Sequence, residues 1–199
     1  MLKESCKGGP INLHDKKRFF YFLIFLFGLV LCCVHLSIYY KRMWSPYTIG
    51  IAPRVRPLQT QEGLGDRLRL IAFAERQAHY AFLEAAERFK DAPEELVSSW
   101  KWVAQEESKH ESWLLKRLLE IEQDVAAVPV SLNLYHSFAE CKTARDFAFY
   151  IADAEERGRV GAERFGEVLN TRDPQTAKMF MQIALEEREH IALVAKFFP

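Results

Sequence analysis

The sequence contains no Cys-x-x-Cys pair. Cys32 and Cys33 sit side by side in an apolar run, while Cys6 and Cys141 stand alone. A zinc ribbon, a rubredoxin-type iron centre and a thioredoxin-like site are therefore disfavoured, and nothing suggests a disulfide framework. Where it is globular, the chain reads as reduced and intracellular. An excess of charge is missing as well: Lys and Arg total 27, and so do Asp and Glu. That balance argues against a nucleic-acid partner and against an acidic tail. The 199 residues leave room for one ordinary domain and an appendage.

Charge is absent altogether from Phe19 to Tyr40. A helix of that length can cross a hydrocarbon core. Aromatic residues lie at both ends (Phe19, Phe20, Tyr21; Tyr39, Tyr40), and Lys41 and Arg42 close the run. The expected organisation is a polar tail at 1–18, a single transmembrane anchor at 19–42, a linker at 43–62 and a helical domain at 63–199. A cleaved signal peptide fits less well, because the run is long and no small-x-small site follows it. The expected localisation is thus a single-pass membrane protein, in contact with the bilayer through residues 19–42, its globular domain in the cytoplasm. Basic residues flank both sides and leave orientation open. A start at Met43 makes the chain cytoplasmic and soluble instead.

The linker carries Pro46, Pro53 and Pro57 and no sustained period. From Leu64 to Phe89 apolar residues return at helical spacing (Leu68, Ile71, Ala72, Phe82, Ala86), and Glu75 falls on the same face. Asp91 and Pro93 predict a cap and a first-turn proline for a second helix. Its inward face reads Leu96, Trp100, Val103, Glu107, His110, Leu114 and Leu118. Residues 122–142 break the pattern at Pro129 and predict a long crossover with a short helix around 132–141. Thr143 caps a third helix with Phe147, Ile151, Ala154, Glu155, Gly158, Ala162 and Phe165 inward. Asp173-Pro174 opens a fourth, with Phe180, Ile183, Ala184, Glu187, His190, Ile191 and Val194 inward. Four helices, two short turns and one crossover make an all-α four-helix bundle.

One charged pattern occurs twice on these inward faces. Glu107 precedes His110 by three positions, as Glu187 precedes His190. Residues three apart share a helix face, so each pair can grip one metal ion. A single Glu-x-x-His is weak evidence. Here each copy follows another glutamate by 32 residues, Glu75 before Glu107 and Glu155 before Glu187, so the second half repeats the first at an offset of 80. The predicted metal ligands are Glu75, Glu107, His110, Glu155, Glu187 and His190. Four carboxylates balance two divalent cations, and buried without metal they must take up protons. Oxygen and imidazole donors suit two iron ions, with manganese as the alternative. Glu155 is preferred to Glu156 because it keeps the offset, whereas Glu156 points to the flank with Ala152 and Arg159. Glu106 and Glu186 are expected to face solvent. His79 reads as a hydrogen-bonded interior histidine rather than an extra ligand. Tyr80, Trp100 and Tyr150 read as packing residues rather than electron or proton carriers.

These residues resemble the ferritin-like superfamily, whose members hold two irons in a four-helix bundle. The doubled motif covers roughly residues 64–199. It is closer to rubrerythrin-like proteins and di-iron oxygenases than to ferritin proper, which usually lacks the second Glu-x-x-His. Ala154-Glu-Glu-Arg-Gly158 and the ending Glu186-Glu-Arg-Glu-His-Ile-Ala-Leu-Val-Ala-Lys-Phe-Phe198, read from the residue pair Glu186–Glu187, are similar to tRNA-modifying hydroxylases and to a set of bacterial ferritin-like proteins. The resemblance implies that Glu107 and Glu187 bridge the ions. The rubredoxin cysteines of full rubrerythrins are absent, and a membrane anchor fits none of these branches, which leaves reductant and substrate open.

The expected function is a di-iron oxidoreductase that activates dioxygen or peroxide with an unidentified reductant and uses no catalytic residue beyond the ligands. The first alternative is an iron-binding or ferroxidase protein without organic substrate. The second is a membrane-tethered scaffold with a relic site. A homodimer is compatible with either.

Overall fold

The computed structural model describes residues 40–199. The polar tail and nearly all of the proposed anchor, 19–42, lie outside the described residues. The expected membrane localisation is corrected: among the described residues no helix is long and apolar enough to cross a membrane. The physical reason is two-sidedness. Each long helix buries one face and exposes charge on the other, whereas a lipid-facing span is apolar all round. The chain divides between Ser45 and Pro46 into two units, and the second, Pro46–Pro199, carries the fold and the site described below.

Five helices follow one another in that unit: α1 (Gln61–Arg88), α2 (Glu94–Glu120), the short α3 (Asn133–Ala139), α4 (Ala144–Leu169) and α5 (Pro174–Phe197). The short turns at 89–93 and 170–173 fold α1 against α2 and α4 against α5 as antiparallel hairpins. The hairpins then meet along α2 and α5, and more loosely along α1 and α4. Residues 121–143 cross from one hairpin to the other, with α3 packed on α1 and α4.

Local chemistry explains where the helices start. Thr60 accepts a hydrogen bond from the Gly63 amide at 2.9 Å, so α1 begins at Gln61. Thr143 and Asp146 form a reciprocal capping box on α4, and Asp173 caps α5 ahead of Pro174. The start of α2 differs from expectation. Pro93 occupies the cap position without a side-chain bond, while the Asp91 carboxylate accepts from the Ala144 amide at 3.3 Å. Asp91 thus serves the start of α4, across the bundle end, and Glu94 and Glu95 are left to complement the helix dipole of α2.

Rings of Phe82, Phe89, Trp100, Phe138 and Phe147 close the bundle at the α1–α2 turn, with Trp100 and Phe147 centred 5.2 Å apart. At the other end a buried guanidinium ties down the crossover. Arg69 donates to the carbonyls of Asp124 and Val125 and pairs with Asp66, which also holds Arg56. The arm before α1 lies against the same crossover: Gly50 donates to Val130 and Val130 to Thr48, a single parallel bridge pair centred on Ile49.

Candidate metal centre

Glu75, Glu107, Glu155 and Glu187 each lie near the middle of a long helix, one on each of α1, α2, α4 and α5. All four are buried, Glu107 completely. His110 and His190, one turn beyond Glu107 and Glu187, are buried with them. Carboxylates do not enter a dry interior without strong compensation, so the grouping needs a chemical reason.

The two Glu-x-x-His pairs face one another across α2 and α5. His190 Nδ1 lies 2.9 Å from Glu107 Oε1 and 3.0 Å from Glu187 Oε2. His110 Nδ1 lies 3.3 Å from Glu187 Oε1 and 3.7 Å from Glu107 Oε2. Each imidazole therefore addresses the same two carboxylates, as the 80-residue repeat requires. Donor atoms of Glu75, Glu107, His110 and Glu187 all lie within 4.8 Å of one another, a group that could hold a metal ion. His190 joins through its contacts with Glu107 and Glu187. Glu155 stands next to them, where the charges of Glu187, Glu107 and Glu75 all act on it.

Both Glu107 oxygens, His110 Nδ1 and His190 Nε2 are buried without a hydrogen-bond partner. The close Glu107–histidine approaches thus lack hydrogen-bond alignment. Donor atoms gathered for a shared cation behave this way, and a satisfied polar core does not. The donor set, carboxylate oxygen with imidazole nitrogen, fits a divalent metal ion, whose charge would offset that of the carboxylates.

Without metal, protons must do that work. Burial, followed by repulsion from Glu107 and Glu187, pushes Glu75 well above the usual carboxylate range. Burial and the charges of Glu187, Glu107 and Glu75 do the same to Glu155. Desolvation opposes charge on Glu107 and on both histidines, yet their mutual attraction prevails. Glu107 is held low, and His110 and His190 are pushed up to about 11 and about 9.

Sequence reasoning missed the layer behind His110. Its outer nitrogen, Nε2, lies 2.7 Å from Glu186 Oε2, and Gln182 donates to the other Glu186 oxygen at 2.8 Å. Lys109 bridges Glu186, at 3.0 Å, and Glu106. Glu106 and Glu186 are half-buried rather than solvated. Burial works against the Glu186 charge, but hydrogen bonds from Gln182, His110 and Lys109 hold it down at about 2. The repeat is imperfect here: Glu106, the counterpart of Glu186, does not reach His190, whose ring instead meets the edge of Trp102 at 5.7 Å. A second missed group flanks α1 and α2. Tyr47 donates to Glu111 at 2.7 Å, and Arg76 donates to the other Glu111 oxygen at 2.7 Å. No local spacing signals either group, because their members come from distant stretches.

The remaining candidates fall outside the centre. Glu156 is exposed and paired with Arg159. His79 Nδ1 bonds the Ala104 carbonyl at 2.6 Å. Trp100 belongs to the aromatic end of the core, Tyr150 packs on Phe138, and Tyr80 packs on His79.

A family profile described as "Protein of unknown function (DUF455)" matches residues 45–199. The chain belongs to the DUF455 family. The matched stretch contains the bundle and every residue of the centre, so the buried cluster lies in the part that this DUF455 protein shares with its family profile. No curated protein and no solved structure matches the chain.

Proposed function

We propose that this protein is a ferritin-like di-metal oxidoreductase, with two iron ions held by Glu75, Glu107, His110, Glu155, Glu187 and His190. One observation carries the reading: four buried carboxylates and two buried imidazoles converge from four helices, with both oxygens of the central Glu107 lacking a hydrogen bond. Manganese is the alternative metal on the same donor chemistry. Bound iron would supply electron exchange with dioxygen or peroxide, recharged by a separate reductant.

The chain's own residues supply position, charge and tautomer. Glu107 and Glu187 face both histidines and would hold the metal together with them. Glu75 and Glu155 close the set from α1 and α4. Glu186 accepts the proton on His110 Nε2, which leaves Nδ1 with a lone pair for metal. Lys109 and Gln182 hold Glu186 in place for that task. Apolar neighbours Val103, Ala104, Leu114, Ile183 and Ala184 on α2 and α5 keep bulk water from the inner face.

The test is metal analysis of the full chain after anaerobic ferrous reconstitution. Two irons per chain, oxidised on exposure to dioxygen or peroxide, are expected. Substoichiometric iron that does not respond to either oxidant would overturn the reading.

A further inference from the structure

We propose that the space between α1 and α4 binds a small, uncharged, apolar organic molecule and holds it against the carboxylate side of the centre. The proposal rests on the di-metal reading for its chemical purpose, though not for the binding itself. A cavity of about 260 Å³ lies there. Ile71, Leu134, Phe165 and Ile183 form much of its wall, and Glu75, Glu155 and Glu187 stand at its inner end. His110, His190 and Glu107 do not line it. The cavity therefore meets the centre at Glu75, Glu155 and Glu187 and not at the histidines.

Two glycines of α4 supply the second observation. A side chain added at Gly158 or Gly161 would meet nothing within 4 Å. Glycine in a helix interior is destabilising, and close packing is the usual structural reason to keep it. Gly63 and Gly166 have that reason, since an added Cβ would lie 1.9 Å from the Pro57 carbonyl or 2.7 Å from Met181 Sδ. Gly158 and Gly161 do not. Both border the cavity, and Ala74, Ala78, Ala154 and Ala162 continue its small-residue lining. Gly158 is exposed and stands where the cavity opens to solvent, while Gly161 is half-buried, and the helix bears the cost of both glycines.

Size and charge define the occupant. An apolar cavity of roughly 150 Å³ admits benzene. The larger space here suits a single substituted ring or a short branched chain. Arg157, on the cavity border, is exposed and already paired with Asp153, so it offers no unneutralised cation to an anionic ligand. The wall residues Ile71, Leu134, Phe165 and Ile183 offer a carboxylate ligand no hydrogen-bond donor, so an anion would lose its hydration without replacement.

The probe is toluene, with benzoate as its charged analogue, titrated into the full chain and followed by ligand-observed NMR. Saturable toluene binding is expected, with benzoate at least tenfold weaker. Gly161→Leu should lower toluene affinity at least tenfold with unchanged metal content and a melting temperature no lower than that of the parent. Ala74→Phe fills the space from the α1 side and repeats the test if the first variant misfolds. Toluene binding that is unsaturable, unchanged in both filled variants, or matched by benzoate would overturn the proposal. Metal without toluene binding defeats the cavity proposal alone. Cavity-dependent toluene binding without metal defeats the di-metal reading and leaves the cavity standing.

Discussion

His110 Nε2 and Glu186 Oε2 are 2.7 Å apart, although the two residues are separated by 76 positions and lie on different helices. The contact fixes which nitrogen of His110 is free to face Glu107 and Glu187. Outer carboxylates of this kind typically contribute 10–100-fold to metal affinity. Glu186→Ala should therefore weaken iron or manganese binding by about that factor, roughly 1.4–2.7 kcal/mol. Glu186→Gln keeps an acceptor and should lose less. Competition titration against a chromophoric chelator measures both, and equal affinity in Glu186→Ala and the parent would remove Glu186 from the site.

Glu107 faces both histidines and makes no aligned hydrogen bond, so its removal should abolish metal binding while the helices persist. His190→Ala should do the same from α5. Neither change opens a large cavity, and Glu107→Ala also relieves carboxylate crowding in the metal-free chain. Metal analysis paired with far-ultraviolet circular dichroism checks both halves. Full iron stoichiometry in either variant would sink the ligand assignment.

The metal-free and metal-loaded proteins should respond to pH in opposite directions. Glu75 and Glu155 have carboxyls raised well above 4.5, and the histidines are raised from 6.5 to about 11 and about 9. All four bind protons more tightly in the folded chain than in the unfolded one. Their stabilisation is present at low pH and is lost as pH rises through the folded values. Glu107 and Glu186 are held low, so their contribution fails only below the ordinary carboxylate range. Metal must displace the bound protons, and its affinity rises with pH. Chelator-treated protein should melt at a lower temperature at about pH 8.5 than at about pH 5.5, and reconstituted protein should gain from metal mostly at the higher pH. A metal-free melting temperature that climbs between those values would contradict the arrangement.

Asp173 combines two tasks at the start of α5. It accepts from the Thr176 amide at 3.1 Å, and Arg117 Nη2 of α2 donates to both of its carboxylate oxygens, at 2.8 and 3.0 Å. Asp173→Ala should cost about 2–3 kcal/mol, and Asp173→Asn, which keeps the cap, about half of that. Urea denaturation resolves the difference. Metal content should not change, because Asp173 lies well along α5 from Glu187. Equal loss in the two variants would mean that the cap contributes nothing.

The sequence by itself determined the helices and the inner face of the centre, because both are local properties. A 3.6-residue period, Thr143 before its helix and Asp173-Pro174 before the next each act within one turn. Glu107 with His110 and Glu187 with His190 are set by a spacing of three on one helix. The 80-residue offset then picked out Glu155, which is buried, over Glu156, which is not. The apolar run at 19–42 was also a local signal, but it predicted a membrane protein, and no described helix has the length and apolarity to cross a bilayer.

Only the tertiary structure decided what meets across elements. Periodicity reports which way a residue leans from its own axis, and says nothing of the partner that a neighbouring helix presents at that height. Hence Glu186, on a flank expected to be wet, closes on His110, while its repeat counterpart Glu106 turns to Lys109. Asp91 caps α4 instead of its own neighbour, and Tyr47, Arg76 and Glu111 assemble from three separate stretches. The space beside Gly158 and Gly161 is of the same kind. A glycine in a sequence is equally consistent with close packing or with open room, and the separation of α1 from α4 settles which one it is.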